Sequence, residues 1–431
     1  MNKRYKKSNE LFKRAKKVIP LGSQTFSKSY LTFPFEQTPL FLTHGRGAHV
    51  WDVDGNKYID FINGLLPNIL GYNDKDVIKA VKKVLPDGPT LSLASDHEIL
   101  LAEDLVQIIP SAEMVRFGKN GTDVTSAAIR LSRAITGKKR IAVCGYHGWQ
   151  DWYIGSTSMN NGVPIEVQSL THSFEYNNIN SLEKLFNKFK DEIAAVILEP
   201  MSFHYPKKNF LNEVKKLTHE NNAILIFDEI ITGFRFDIGG AQSLFGVKPD
   251  LSLFGKSMGN GFPISAIVGK KNIMMEMENI FYSSTFAGEI LSIVAARAVI
   301  QKMKNKKVIQ RINKNGQKIK DKISNLIKNY KLEDYVELIG HPSWTLLNFK
   351  QKEKFDPWEL KTFYLQEVLR DGILTGGSHN LCYSHTSKDL MYFFEVYERF
   401  FSKLQKISLE KKGIKKFLKS PTLKPIFKVR N

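Results

Sequence analysis

The sequence predicts an α/β fold: a mostly parallel sheet covered by helices on both faces, with a smaller α+β portion. Three observations carry this. Short apolar runs at 141–145, 194–199, 223–228, 251–255 and 264–269 end in polar or turn residues, the pattern of strands buried on both faces. Segments with helical apolar spacing fill the intervals, as crossover connections require. Past about residue 290 a long helix runs into a lysine-rich helical stretch, where Ile309, Ile312, Ile319, Ile323 and Leu326 keep one apolar stripe for packing.

Taken in order, residues 9–17 read as a short basic amphipathic helix. Residues 47–63, GAHVWDVDGNKYIDFIN, read as a hairpin around the strong turn dipeptide Asp54-Gly55. Residues 75–84 and 97–108 have helical spacing. The run from Ala223 closes on Asp228, and the run from Leu251 closes on Lys256, 28 residues later. Acid and amine are thereby expected at the carboxyl ends of neighbouring strands, where open α/β sheets bind ligands. A poorly solvated lysine there loses its proton readily and attacks an aldehyde. A carboxylate there holds an aromatic ring nitrogen protonated. Strand-end charges also occur as plain buried ion pairs, and these two residues alone leave both readings open.

Gly118-Lys119-Asn120-Gly121-Thr122-Asp123 precedes a helix with Val124, Ala128, Leu131 and Ile135 on its apolar face. Glycines allow close backbone approach, and N–H groups at a helix start attract an anion. An ordinary capped helix start has the same look, and the lysine lacks the following Ser or Thr of a Walker loop. Gly145-Tyr146-His147-Gly148-Trp149 follows the strand from Ile141 to Cys144. An aromatic there stacks on a flat cofactor or packs in the core. Glu199, before Pro200, closes the 194–199 strand as a cofactor-supporting acid or a cap.

At 431 residues the chain exceeds one ordinary core. The division expected is an N-terminal arm with part of a small domain (1–75), a large ligand-binding domain (76–300) and a C-terminal small domain (301–431), the arm joining the C-terminal part. Two cysteines, Cys144 and Cys382, make neither a disulfide framework nor a metal cluster. Lysine produces the net charge of +20, concentrated at 302–307, 411–416 and the tail. Such charge attracts anions, but no basic stretch interleaves with stacking aromatics, so a solvated lysine surface is expected and nucleic acid is not an expected partner. The basic N-terminus lacks a signal-peptide apolar core, and no apolar run spans a bilayer. The expectation is a cytoplasmic protein with no membrane partner.

Together and in this order, the segments resemble the class III (ω-type) pyridoxal-phosphate aminotransferases of fold type I. The branch they resemble is that of glutamate-1-semialdehyde 2,1-aminomutase and its aminotransferase relatives. The resemblance rests on Ile19-Pro20, WDVDGNKYID (51–60), VRFGKNGTDVTSAAIRLSRAITG (115–137), YHGW (146–149), LEP (198–200), IFDEIITGFR (226–235), GGAQSLFGVKPDLSLFGKSMGNGFP (239–263) and SSTFAGE (283–289). It implies that Lys256 carries pyridoxal 5'-phosphate and shuttles the proton. It also implies that Asp228 pairs with the ring nitrogen, that Ile230 packs on the ring face opposite Tyr146 or His147, and that Gly121 and Thr122 hold the phosphate. Thr285 would reach the phosphate of the other subunit in a homodimer with shared sites.

Two departures concern the substrate. Lys28 stands where the aminomutase has a carboxylate-binding arginine, and lysine lacks the bidentate fork. Trp149-Gln150-Asp151-Trp152-Tyr153 stands where the aminomutase has a small-residue gating loop, which marks Lys28 and Trp149 as candidate substrate residues. The reading is amino transfer from a small-molecule donor to a keto or aldehyde acceptor, phosphorylated or sugar-like as in surface-polysaccharide pathways. The 2,1-aminomutase is the alternative. A decarboxylase or racemase on the same fold, and a non-enzymatic anion-binding protein, also stay open.

Overall fold

The computed structural model describes residues 3–410 and 413–426. Lys411, Lys412 and the tail from 427, part of the expected charge concentrations, lie outside the described residues. The chain forms two compact units. One holds the chain up to Leu65, Ile69–Asp74 and Gln310–Ile426; the other holds Leu66–Asn68 and Lys75–Ile309.

The second unit is built on a seven-stranded sheet. Its spatial order is Met114–Gly118, Ser265–Gly269, Leu251–Phe254, Ile224–Asp228, Ile193–Leu198, Arg140–Cys144 and Thr171–Ser173. From Leu251–Phe254 to Thr171–Ser173 every pairing is parallel. The strand IAAVIL at 193–198 is buried at all six positions. Successive side chains point to opposite faces, so Ile197 and Ile226 join a core with Val124, Ala128 and Leu131 from the helix Gly121–Thr136. Val196, Leu225 and Phe227 join the other core, with Leu182, Phe186, Phe210 and Val214.

All five predicted runs are strands, with ends within about two residues of those read from sequence. Ser265–Gly269 runs antiparallel to both neighbours, because the short Gly255–Ile264 connection is too brief for a parallel crossover. Two strands lack a sequence signal. Met114–Gly118 carries exposed Arg116, and Thr171–Ser173 is three residues at the sheet edge with no apolar run.

The other unit contains the predicted hairpin, His49–Asp52 against Lys57–Asp60. Asp52 Oδ1 accepts from the Asp54 and Asn56 N–H groups, and Gly55 supplies the left-handed φ of 88° that the turn needs. Ile373–Leu374 adds in parallel to Lys57–Asp60, and Leu42–Arg46 pairs with His49–Asp52. A second sheet joins Val336–His341, Trp344–Phe349 and Ser378–Asn380. The helix continuing from about 290 is in fact two, Ile290–Lys306 and Val308–Asn329, broken at Lys307 with φ of 48°. Ile312, Ile319, Ile323 and Leu326 of the predicted stripe are buried. Among the described residues no helix is long and apolar enough to cross a membrane.

Glu229, next to Asp228, is a structural acid. Its carboxylate accepts from Thr232 Oγ1, from the Ala241 and Gln242 N–H groups at 2.7 and 2.8 Å, and from Gln242 Nε2 at 3.3 Å. It thus ties the strand end to the start of the helix Ala241–Phe245. Removing it strands several buried donors, so Glu229→Ala is expected to lower unfolding free energy by about 3 kcal/mol. Urea unfolding measures this; a loss below about 1 kcal/mol would contradict the anchoring role.

Candidate active site

Asp228 ends its strand and pairs across with Leu253, three residues before Lys256 on the adjoining parallel strand. The predicted acid and amine therefore lie at neighbouring carboxyl ends. Lys256 takes a left-handed φ of 39°, rare for a side chain with a Cβ. Loss of hydration pushes its ammonium below the ordinary lysine range and Arg235 adds to this, while Asp228 and Glu199 oppose.

Asp228 is buried and doubly held. His147 Nδ1 donates to Oδ2 at 2.8 Å, and the Ile230 N–H donates to Oδ1 at 3.1 Å. His147 is itself 1% exposed, and its Nε2 is buried without a hydrogen-bond partner. Thr125 Oγ1 donates to the His147 carbonyl at 2.9 Å, fixing the histidine backbone to the helix Gly121–Thr136.

The start of that helix sits against the same turn. A Cβ on Gly148 would lie 2.6 Å from Thr122 Oγ1, and one on Gly121 would lie 2.6 Å from Ile230 Cδ1. Thr122 Oγ1 is buried with no partner. Asp123 accepts from the Lys119 and Asn120 N–H groups at 3.0 and 2.7 Å, which shapes the loop entering the helix. Ile230 also neighbours Gly255, on the other side of which comes Lys256. Glu199 Oε2 accepts from the Tyr146 N–H at 3.1 Å. Burial, and secondarily the charge of Asp228, push its carboxyl up to about 7.

The structure thus brings together Lys256, Asp228, His147, Glu199, Gly121, Thr122 and Ile230. Tyr146 lies at the rim, 48% exposed, with its ring edge-on to Tyr153. Trp149 is 66% exposed, whereas Trp152 and Tyr153 of the same segment are core residues, Trp152 Nε1 donating to Ser126 Oγ. Thr285 is exposed within the single chain. Lys28 belongs to the other unit, at the exposed end of the turn Phe26–Lys28.

Sequence reasoning passed over Arg235, Thr125, Tyr153 and Gly148. Arg235 is fully buried and donates to the Leu66 carbonyl at 2.8 Å and Ser257 Oγ at 3.5 Å, beside Lys256. Its signal was a charge inside the buried, glycine-containing IFDEIITGFR stretch.

The family model for Aminotransferase class-III matches residues 32–395. The chain belongs to this family. Among curated relatives, 3-aminobutyryl-CoA aminotransferase of Cloacimonas acidaminovorans is 34% identical over 93% of this chain and 98% of its own. Glutamate-1-semialdehyde 2,1-aminomutase of Aquifex aeolicus is 32% identical over 85% of this chain and 92% of its own. Among solved structures, the pyridoxal-phosphate internal aldimine form of the FumI protein from Sphingopyxis sp. MTA144 superposes with a TM-score of 0.87 at 26% identity, covering 97% of this chain and 99% of that one. The fold is that of the fold type I pyridoxal-phosphate transferases, and this aminotransferase-family enzyme takes pyridoxal 5'-phosphate.

The residues fit that cofactor. The orphaned Thr122 Oγ1 at a helix start suits a phosphate oxygen. A buried carboxylate suits a protonated ring nitrogen, and a desolvated amine suits the aldehyde. Gly148→Ala would drive a methyl onto Thr122 Oγ1 at a backbone φ of 109°. We expect it to weaken cofactor retention about tenfold or more, equivalent to about 1.4 kcal/mol, with the far-ultraviolet dichroism of the folded protein unchanged. Equilibrium dialysis checks this, and undiminished retention would remove Thr122 from the phosphate site.

Proposed function

We propose that this aminotransferase-family enzyme moves an amino group from a small-molecule amino donor to a keto or aldehyde acceptor, phosphorylated or sugar-like. The observation that supports it most is the Lys256–Asp228 pair at adjoining strand ends, with His147 bound to the acid. When bound, pyridoxal phosphate supplies an aldehyde and a ring that takes up the electron pair left as a Cα–H bond breaks. Lys256 Nζ receives that proton and returns it; its depressed basicity leaves more of the amine free to do so. His147 keeps Asp228 oriented, and the carboxylate keeps positive charge at the ring nitrogen. Gly121 and Thr122 hold the phosphate, Glu199 supports the turn carrying Tyr146 and His147, and Ile230 packs against the ring face. Lys28 and Trp149 are the proposed substrate contacts.

The assembly in this proposal is a homodimer with shared sites, in which Thr285 reaches the partner's cofactor phosphate. Its support is the exposure of Thr285 between two large apolar side chains, Phe281 at 84% and Phe286 at 57%.

Reduction of the loaded enzyme with borohydride, followed by peptide mapping, is expected to label Lys256. Label elsewhere would sink the assignment. Asp228→Asn is expected to lower turnover by about two to three powers of ten while keeping most cofactor; near-normal turnover would exclude the electrostatic role.

A second reading, the 2,1-aminomutase, is favoured by the similarity to the Aquifex aeolicus enzyme. The two separate in one assay. Enzyme in the pyridoxamine form is given glutamate-1-semialdehyde, and 5-aminolevulinate is measured. We expect kcat/KM well below about 10⁴ M⁻¹s⁻¹, the low end for ordinary enzymes, with turnover requiring a separate donor and acceptor. A value above it would establish the aminomutase.

A further inference from the structure

Between the strand ending at Cys144 and the short helix Asp151–Ile154 lies the turn Gly145-Tyr146-His147-Gly148. Both glycines are left-handed, with φ of 113° and 109°. Glycine adopts these angles without strain and is conformationally free, so contacts from outside decide which shape the turn keeps. Tyr153 Oη donates to the Gly145 carbonyl at 2.8 Å, and Thr125 Oγ1 donates to the His147 carbonyl at 2.9 Å. Asp228 accepts from the His147 ring at 2.8 Å, and Glu199 Oε2 accepts from the Tyr146 N–H at 3.1 Å.

Of these four contacts, only that of Glu199 has a cost without an evident return. Accepting one backbone N–H does not need an acid. A carboxyl kept near the like charge of Asp228 and partly withdrawn from water is costly unless its position matters. The turn is also shaped to it, since a Cβ on Gly145 would lie 2.5 Å from Glu199 Oε2.

We propose that Glu199 is a positioning residue for the cofactor ring site: its carboxyl fixes the 145–148 turn at the Tyr146 N–H and thereby sets His147 against Asp228. The proposal rests on reading Asp228, His147 and Lys256 as that ring site. The anchor crosses from the strand Ile193–Leu198 to the chain following Arg140–Cys144, which are parallel neighbours in the sheet. The carboxyl therefore acts as a strut between adjoining strand ends.

The strut is also an acid. The titratable groups that interact with Glu199 are Asp228, His147, Lys256, Cys144, Tyr153 and Tyr176. Burial raises Glu199 to about 7 and raises Cys144 to about 12, with both phenols pushed further up. Near neutrality Glu199 is thus the facing acid with a resolved upward shift that changes charge. Its ionisation adds negative charge beside Asp228 as pH rises through about 7.

The test uses the holoenzyme, Glu199→Gln, Glu199→Leu and a Lys256→Ala control. Cofactor affinity is measured by equilibrium dialysis, and the visible band is titrated with pH. Glu199→Leu is expected to lose affinity about tenfold or more and to shift the pH midpoint of the band. Glu199→Gln keeps an acceptor oxygen for the Tyr146 N–H and is expected to restore affinity to within about twofold. Wild-type affinity and midpoint in the Leu variant would overturn the proposal. So would a Gln variant as impaired as the Leu variant while its thermal unfolding matches wild type. If the Leu variant fails to fold, Gly145→Ala presses on the same oxygen and should lose affinity in its place; unchanged affinity there also overturns the role. Cofactor that borohydride still fixes covalently to the protein in Lys256→Ala would overturn the ring-site reading instead.

Discussion

The hydrogen bond between His147 and Asp228 is the contact on which the site depends. Asp228 is 4% exposed and His147 1%. A carboxylate that far from water needs partners, because an uncompensated buried charge costs several kcal/mol. Asp228 obtains them from the His147 ring and the Ile230 N–H. Each partner draws in another element. His147 brings the 145–148 turn and, through Thr125, the helix Gly121–Thr136. Ile230 brings its packing against Gly121 and Gly255. Satisfying one charge therefore fixes the relative placement of the proposed phosphate, ring and amine groups.

The same economy explains where backbone strain is kept. Lys256 adopts a positive φ of 39° within this cluster, and such a position costs a residue with a Cβ stability unless the surroundings over-determine it. The surroundings here are rigid. Strand cores on both faces of the sheet flank Asp228, and Glu229 ties the strand end to the next helix. Arg235 and Ser257 both meet the Leu66 carbonyl, which holds the turn just after Lys256. Buried polar groups that look redundant beside the chemistry keep the reacting groups from relaxing.

The membership of the chain in the class III aminotransferases fixes the type of chemistry and leaves the substrate to a few residues. The relatives named above carry different names, an acyl-CoA aminotransferase and an aminomutase, at nearly equal identity. The shared motifs serve the cofactor, and cofactor chemistry is common to both reactions. We propose that discrimination comes from Lys28 and from the Trp149–Tyr153 segment. Only Trp149 of that segment's aromatics is exposed, because Trp152 and Tyr153 are spent on the core.

The sequence by itself determined the sheet, the strand-end placement of Asp228 and Lys256, and the glycine-threonine start of the helix at 121. These are local signals: uninterrupted apolar runs, turn residues and a helix start, each legible within about ten residues. It did not determine the antiparallel direction of the strand at 265–269, the edge strands at 114–118 and 171–173, or the break at Lys307. Edge strands need no apolar run, and strand direction follows from what the connection can span. Nor did it show that Thr125, Tyr153, Glu199 and Asp228 converge on one four-residue turn. Those contacts join positions 8 to 81 residues apart in sequence. Only tertiary structure decides them, because the burial that makes each hydrogen bond obligatory exists only after the sheet has formed.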